Sequence, residues 1–225
     1  MIDLWRKHDK QRRASDGQAS AYPAMELVRL NEIREREKFL EACTVGDEKE
    51  VERLFTPQRA AQKDQEGAQP IHWACGHGHL GVVKLLNERG TALNVGTADG
   101  SQPMHWACLN GELEVVTWLH GQGIHVGVMD SKSSQPLHYA CISGKLEVAQ
   151  WLLQNGADLE ASDDKGYRPA HWACASGNVD LIMLLRKAGC ATNVVAVDQH
   201  TPISLAKEIH GNSVVVSWLL NGLSF

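Results

Sequence analysis

The 225-residue chain lacks any apolar run approaching the roughly 20 residues that a membrane-spanning helix needs, so insertion into a bilayer is not expected. It also lacks an excess of positive charge. Its 22 Lys and Arg stand against 27 Asp and Glu, a formal net charge of −5, which argues against nucleic acid or an anionic membrane as partner. The start, Met1-Ile2-Asp3-Leu4-Trp5-Arg6-Lys7, has no apolar core of a secretory signal. Missing too are a phosphate-cradling glycine loop, a paired-carboxylate site and a metalloprotease motif, so neither catalysis nor a cofactor is expected. Proline is scarce, 7 in all, yet five of these stand on a fixed grid.

That grid organises the chain. Pro70-Ile71-His72-Trp73-Ala74-Cys75 returns as Pro103-Met104-His105-Trp106-Ala107-Cys108, Pro136-Leu137-His138-Tyr139-Ala140-Cys141 and Pro169-Ala170-His171-Trp172-Ala173-Cys174. A worn copy, Pro202-Ile203-Ser204-Leu205-Ala206-Lys207, closes the series. Strict spacing in this range means a repeat array, a solenoid whose length follows repeat number. Each unit predicts two helices. Proline opens the first, where its missing N–H is harmless, and Gly78, Gly111, Gly144 and Gly177 end it. Apolar stripes such as Val82-Val83-x-Leu85-Leu86 and Val115-Val116-x-Trp118-Leu119 mark the second, closed by Gly90, Gly123, Gly156 and Gly189. Turn signals such as Asp64-Gln65-Glu66-Gly67 and Asp99-Gly100 precede each pair.

The predicted organisation begins with a flexible arm over 1–23, carrying the basic cluster Arg6, Lys7, Lys10, Arg12 and Arg13. A helix and a degenerate capping repeat fill 24–63, with short helices at Phe39–Asp47 and Val51–Phe55 and a plain connector over 56–63. Four regular repeats occupy 64–96, 97–129, 130–162 and 163–195, and a C-terminal capping repeat occupies 196–225, including Val214–Leu220 as its second helix.

Cysteine spacing excludes a disulfide framework. Cys75, Cys108, Cys141 and Cys174 are copies of one helix position, which packing sets about 8–10 Å apart, beyond the roughly 7 Å a disulfide spans. Unpaired thiols favour a reducing compartment, cytoplasm with the nucleus as second choice. His-x-x-Cys pairs at 72/75, 105/108, 138/141 and 171/174 invite a zinc reading, but repeat spacing keeps the pairs apart, and no metal is expected.

The period and the Pro-x-His-x-Ala core resemble those of ankyrin repeats over roughly 34–222. The resemblance implies an all-α solenoid of antiparallel helix pairs with projecting β-hairpin loops, about five regular repeats plus a degenerate N-terminal one. It implies that the histidine braces the hairpin by hydrogen bonds, and that the function is protein binding rather than catalysis. The His-Trp-Ala variant is similar to repeats in the ankyrin domains of DHHC-type palmitoyltransferases, whose catalytic motif and membrane helices are missing here. In size and in one His-Trp-Ala-Cys motif the chain also resembles the gankyrin type of proteasome-assembly chaperone.

A helical wheel at 100° per residue sends Ile71, Ala74 and Cys75 inward and Trp73, Trp106, Tyr139 and Trp172 toward the inner groove, with Gly76 and His77 beside Trp73. Trp118, Trp151 and Trp218 fall on the core stripe of the second helices, so Trp118→Ala is expected to cost a core-sized ~3–5 kcal/mol and Trp106→Ala far less. Large rings in register suit an interface; equally, each ring could cover the seam of its own unit. The candidate partner-binding residues are Trp73, His77, Trp106, Asn110, Tyr139, Ser143 and Trp172 in the groove. Asp99, Gln102, Lys132, Tyr167 and Arg168, with Ser101 and Ser134, form the rim. The expected protein is a monomeric adaptor that takes a protein segment; a recruitment module of a larger enzyme and a regulatory inhibitor or assembly chaperone are the alternatives.

Overall fold

The computed structural model describes residues 22–191 and 193–211. The predicted arm and its basic cluster, and the last helix with Trp218, lie outside them. The chain divides into two units, residues 1–38 and 39–225. Helix α1 runs over Tyr22–Val45. Within the first unit, Arg36 Nε meets Glu32 Oε1 at 3.5 Å along this helix.

No glycine or proline interrupts 24–45, so the helix expected to begin at Phe39 is instead the end of α1, which stops at Gly46 with φ +83°. Helix α2 follows over Glu48–Leu54, capped by Asp47, whose Oδ1 accepts from Glu50 N at 3.0 Å. The stretch expected to be a connector holds a short helix, α3, over Pro57–Ala60, because Thr56 caps it and Pro57 stands at its first position. Arg59 is buried there and donates to Leu54 O at 2.7 Å.

The repeats then alternate an inner and an outer helix. These are α4 (Pro70–Gly76) with α5 (Leu80–Glu88), and α6 (Pro103–Asn110) with α7 (Leu113–Gly121). The next pairs are α8 (Pro136–Ile142) with α9 (Leu146–Gln154), and α10 (Pro169–Ser176) with α11 (Val179–Lys187); α12 (Pro202–His210) follows. Inner helices pack in succession, α4 on α6, α6 on α8, α8 on α10 and α10 on α12. Ile71, Met104 and Leu137 with Ala74, Ala107, Ala140 and Ala173 are buried on these helices, and Val116, Leu119, Ala149, Leu152, Ile182 and Leu185 meet them from the outer ones. The four repeat cysteines are buried, unpaired thiols in the same seam.

Trp118 and Trp151 correct the wheel. Both are only partly buried and lean on the core from its flank, while Val115, Val116 and Leu119 fill its centre. Trp151 is covered by His120 of the preceding repeat, edge to face at 5.4 Å. Trp118→Ala is therefore expected to cost about 2 kcal/mol, below the ~3–5 of a fully buried tryptophan. Urea unfolding followed by circular dichroism measures it.

Among the described residues there is no β-strand, so the projecting loops are hairpin-like without a ladder. Each turn closes on itself, Asp64 N to Ala68 O (2.9 Å), Asp130 N to Ser134 O (3.0 Å) and Asp163 N to Tyr167 O (2.9 Å). Neighbouring tips are joined by Ala98 N to Glu66 O, Ser131 N to Asp99 O and Asp164 N to Lys132 O, all at 2.9 Å. Gly67, Gly100 and Gly166 hold the tip at φ +78 to +82°, and Ser133 and Gln199 occupy the same place at φ 62° and 68°. At Gly100 a Cβ would come within 2.7 Å of Ser131 N, so the close approach of successive tips itself requires glycine there.

Candidate functional site

The inner helices and their turns are built from a short local code. Proline sits at the first helical position, and the preceding residue is extended (φ −95°, ψ 163° at Gln69). Three residues on, the histidine reaches back: His72 Nδ1 accepts from Gln69 N, His105 Nδ1 from Gln102 N, His138 Nδ1 from Gln135 N and His171 Nδ1 from Arg168 N, each at 3.0 Å. A ring that accepts at Nδ1 carries its proton on Nε2. That N–H donates to the next loop: His72 to Val95 O (3.1 Å), His105 to Ser134 O (3.2 Å), His138 to Ala161 O (3.1 Å) and His171 to His200 O (3.3 Å). Every histidine thus ties its own turn to the following repeat. Burial pushes all four imidazoles below their ordinary pKa, against weaker opposing pulls from the backbone hydrogen bonds.

Both ring nitrogens are thereby used, so the His-x-x-Cys pairs present no free ligand from the imidazole. The thiols are no better placed to react. Burial raises Cys43 to about 12 and Cys190 to about 11, and pushes Cys75, Cys108 and Cys141 higher still, which disfavours thiolate.

The groove rings are half-buried rather than freely displayed. Trp73 meets Trp106 edge to face at 5.1 Å and stacks on His77 at 6.1 Å; Trp106 also meets His72 at 5.6 Å. Trp73 Nε1 donates to Asp64 Oδ2 at 3.2 Å. Tyr139 donates to Asp130 Oδ2 at 2.8 Å, so its hydroxyl oxygen receives the Ser101 hydroxyl at 2.7 Å. Trp172 lies against Tyr167 at 5.0 Å. These contacts give each ring a packing role, and truncating Trp106 removes two ring contacts, more than the wheel implied.

Between the rings, His77, Asn110 and Ser143 are exposed at the ends of their helices, and Ser176 is half-buried. Asn110 Nδ2 donates to Trp106 O at 3.1 Å, and His77 Nδ1 donates to Trp73 O at 2.9 Å. Gly76, placed beside Trp73 by the wheel, is buried instead, because Trp106 Cε3 would lie 3.3 Å from a Cβ there. Its copy two repeats later, Ile142, is 44% exposed and was overlooked; its position, two before the helix-ending glycine, was the available signal.

The rim is split. Asp99 and Lys132 are exposed at the tips. Burial pushes the Asp99 carboxyl up, but hydrogen bonds from Thr97 and Ser101, with Lys132 nearby, outweigh it and hold the group low. Other expected rim residues are withdrawn. Tyr167 is 7% exposed, donates to Asp198 and has its hydroxyl pushed up to about 12, first by burial and then by that carboxylate. Ser101 is 3% exposed under Tyr139. Arg168 is half-buried and pairs with Glu160, and Gln102 is half-buried with Oε1 enclosed and without a partner. Tyr167 and Ser101 are covered from the following repeat, by its Asp198 loop and by Tyr139 respectively, which a single repeat's pattern cannot show.

A second seam escaped the sequence reading. The residue before each outer helix reaches back to the preceding repeat: His79 Nε2 donates to Thr44 O (2.8 Å) and Asn178 Nδ2 to Gly144 O (2.9 Å). The glycines there leave room for it, since a Cβ on Gly46 would stand 2.5 Å from His79 Nδ1.

The family model for ankyrin repeats (three copies) matches residues 39–130, 107–196 and 137–224.

Proposed function

The chain belongs to the ankyrin-repeat family, whose repeats are protein-interaction modules, and on that footing we propose a non-catalytic adaptor that binds an extended protein segment. The segment lies along the inner helices, over Trp73, Trp106, Tyr139 and Trp172, and between tips such as Asp99 and Lys132. The observation that carries the reading is the register of these rings beside exposed polar positions at His77, Asn110 and Ser143, with Ile142 open among them. Large, stiff aromatics flanked by adaptable polar groups are the composition of interface centres. Unpaired thiols support a reducing setting, the cytoplasm or nucleus; the proposed adaptor acts as a monomer.

The rings also pack, so they are poor first targets for mutation. Asn110→Arg and Ser143→Arg instead place bulk in the groove from exposed positions. In affinity capture with mass spectrometry, both variants are expected to lose the partners of the wild type while melting at the same temperature. An unchanged partner set would move the binding surface away from the groove.

A further inference from the structure

Each regular repeat sets a ring nine residues after the first residue of its turn: Asp64 and Trp73, Thr97 and Trp106, Asp130 and Tyr139, Asp163 and Trp172. In two repeats the turn aspartate serves both ends of this spacing. Asp64 Oδ1 accepts from Glu66 N and Ala68 N at 2.9 Å, while Oδ2 takes the Trp73 N–H. Asp130 Oδ1 accepts from Lys132 N and Ser134 N at 2.8 Å, while Oδ2 takes the Tyr139 hydroxyl. Threonine stands in the second repeat and has no second oxygen to offer. Thr97 Oγ1 donates to Asp99 Oδ1 at 2.5 Å and lies 3.2 Å from Ser101 O.

Among the described residues Trp106 Nε1 consequently has no acceptor, and contacts with His72 and Trp73 on its ring keep it from turning to find one. Asp99 does not supply the missing group: its Oδ1 is taken by Thr97 Oγ1 and by Ser101 N at 3.1 Å, with Lys132 beside it. Trp172 Nε1 likewise has no acceptor among the described residues, but Asp163 stands in its turn, so only the Trp106 repeat lacks the turn carboxylate itself.

We propose that Trp106 Nε1–H is the specificity contact of the groove, donating to an Asp or Glu carboxylate on an extended partner segment that fills the place Asp64 and Asp130 fill in their own repeats. This rests on the groove reading above. An indole N–H is a donor only, and a charged acceptor makes the stronger bond.

The test uses ten-residue Ser/Val peptides with one Asp walked through every position, and matched Asn and Lys versions, titrated into the full ¹⁵N-labelled chain. An Asp peptide is expected to shift the Trp106 indole N–H resonance and leave that of Trp73 in place. Its affinity is expected to fall at least about 10-fold with Asn in place of Asp, with Trp106→Phe, and with Thr97→Asp. The last variant restores the turn aspartate of the other repeats and closes the site from within. Equal binding of Asp and Asn peptides, or undiminished binding to Thr97→Asp, overturns the carboxylate contact; if Ser143→Arg still blocks that binding, the groove reading survives. Should no peptide move any groove tryptophan and Ser143→Arg change nothing, both ideas fall together.

Discussion

Lowering the pH from 7.5 to 5 is expected to remove several kcal/mol of stability and to unfold the stack cooperatively. His72, His105, His138 and His171 are neutral in the fold, with pKa values driven down chiefly by burial. In the unfolded chain each titrates near 6.5. Below that value the unfolded chain binds more protons, so stability is fully present above pH 6.5 and falls as the pH drops beneath it. Each histidine contributes up to about 1.4 kcal/mol per pH unit. All four act in the same direction, so their losses add.

Two other groups titrate differently. His200, between Asp198 (3.1 Å) and Glu208 (2.7 Å), has its pKa raised first by Asp198, so its contribution is present below 6.5 and lost as the pH rises through its folded value. It is half-buried, and solvent screens its two ion pairs. Asp198, held at about 2 by Tyr167 and His200, keeps its contribution above 3.8 and loses it only as the pH falls from there toward 2. Urea unfolding at half-unit steps of pH measures the balance. Stability that stays level down to pH 5 would show that the buried imidazoles do not carry it.

His105→Ala is expected to cost about 4 kcal/mol, roughly twice Trp118→Ala. The substitution strands the Gln102 N–H, worth about 1–3 kcal/mol when left dry, takes one of two donors from the Ser134 carbonyl, which keeps Asp130 N, and opens a cavity at a fully buried position. The chain holds its own control. In the last repeat Ser204 replaces the histidine, and its hydroxyl accepts from Thr201 N at 2.8 Å without reaching another repeat. His105→Ser therefore keeps the local bond and loses the bridge, and should recover about 1 kcal/mol of the loss. Denaturant midpoints of the two variants check this. Equal stability for serine and alanine would mean that the bridge to Ser134 carries the whole effect. The acid dependence of either variant should also shrink by one histidine.

Much of this architecture was legible from a single repeat. Proline at the first helical position, histidine three residues into each turn and glycine at positive φ all act within a few residues, so a period of 33 in sequence becomes a period of helix pairs without reference to neighbours. The inward placement of Ile71, Ala74 and Cys75 follows for the same reason, since one helix has one apolar face. Continuity of α1 through Phe39 was also readable in the absence of any glycine or proline between Pro23 and Gly46, although a match to the repeat pattern suggested a break.

The sequence alone determined the repeat, its helices, the bracing histidine and the four aromatic positions in register. Only the tertiary structure decided which of those rings keep a free polar atom, which tip residues stay exposed, and how deep the outer tryptophans lie. Trp73 and Tyr139 are satisfied by their own turns, Trp106 is not, Tyr167 disappears beneath the following loop and Ser101 beneath Tyr139 of the following repeat. The physical reason is the range of the interactions. Backbone angles and caps are settled inside one repeat, whereas burial and hydrogen-bond pairing at the groove are settled by the repeat stacked next to it.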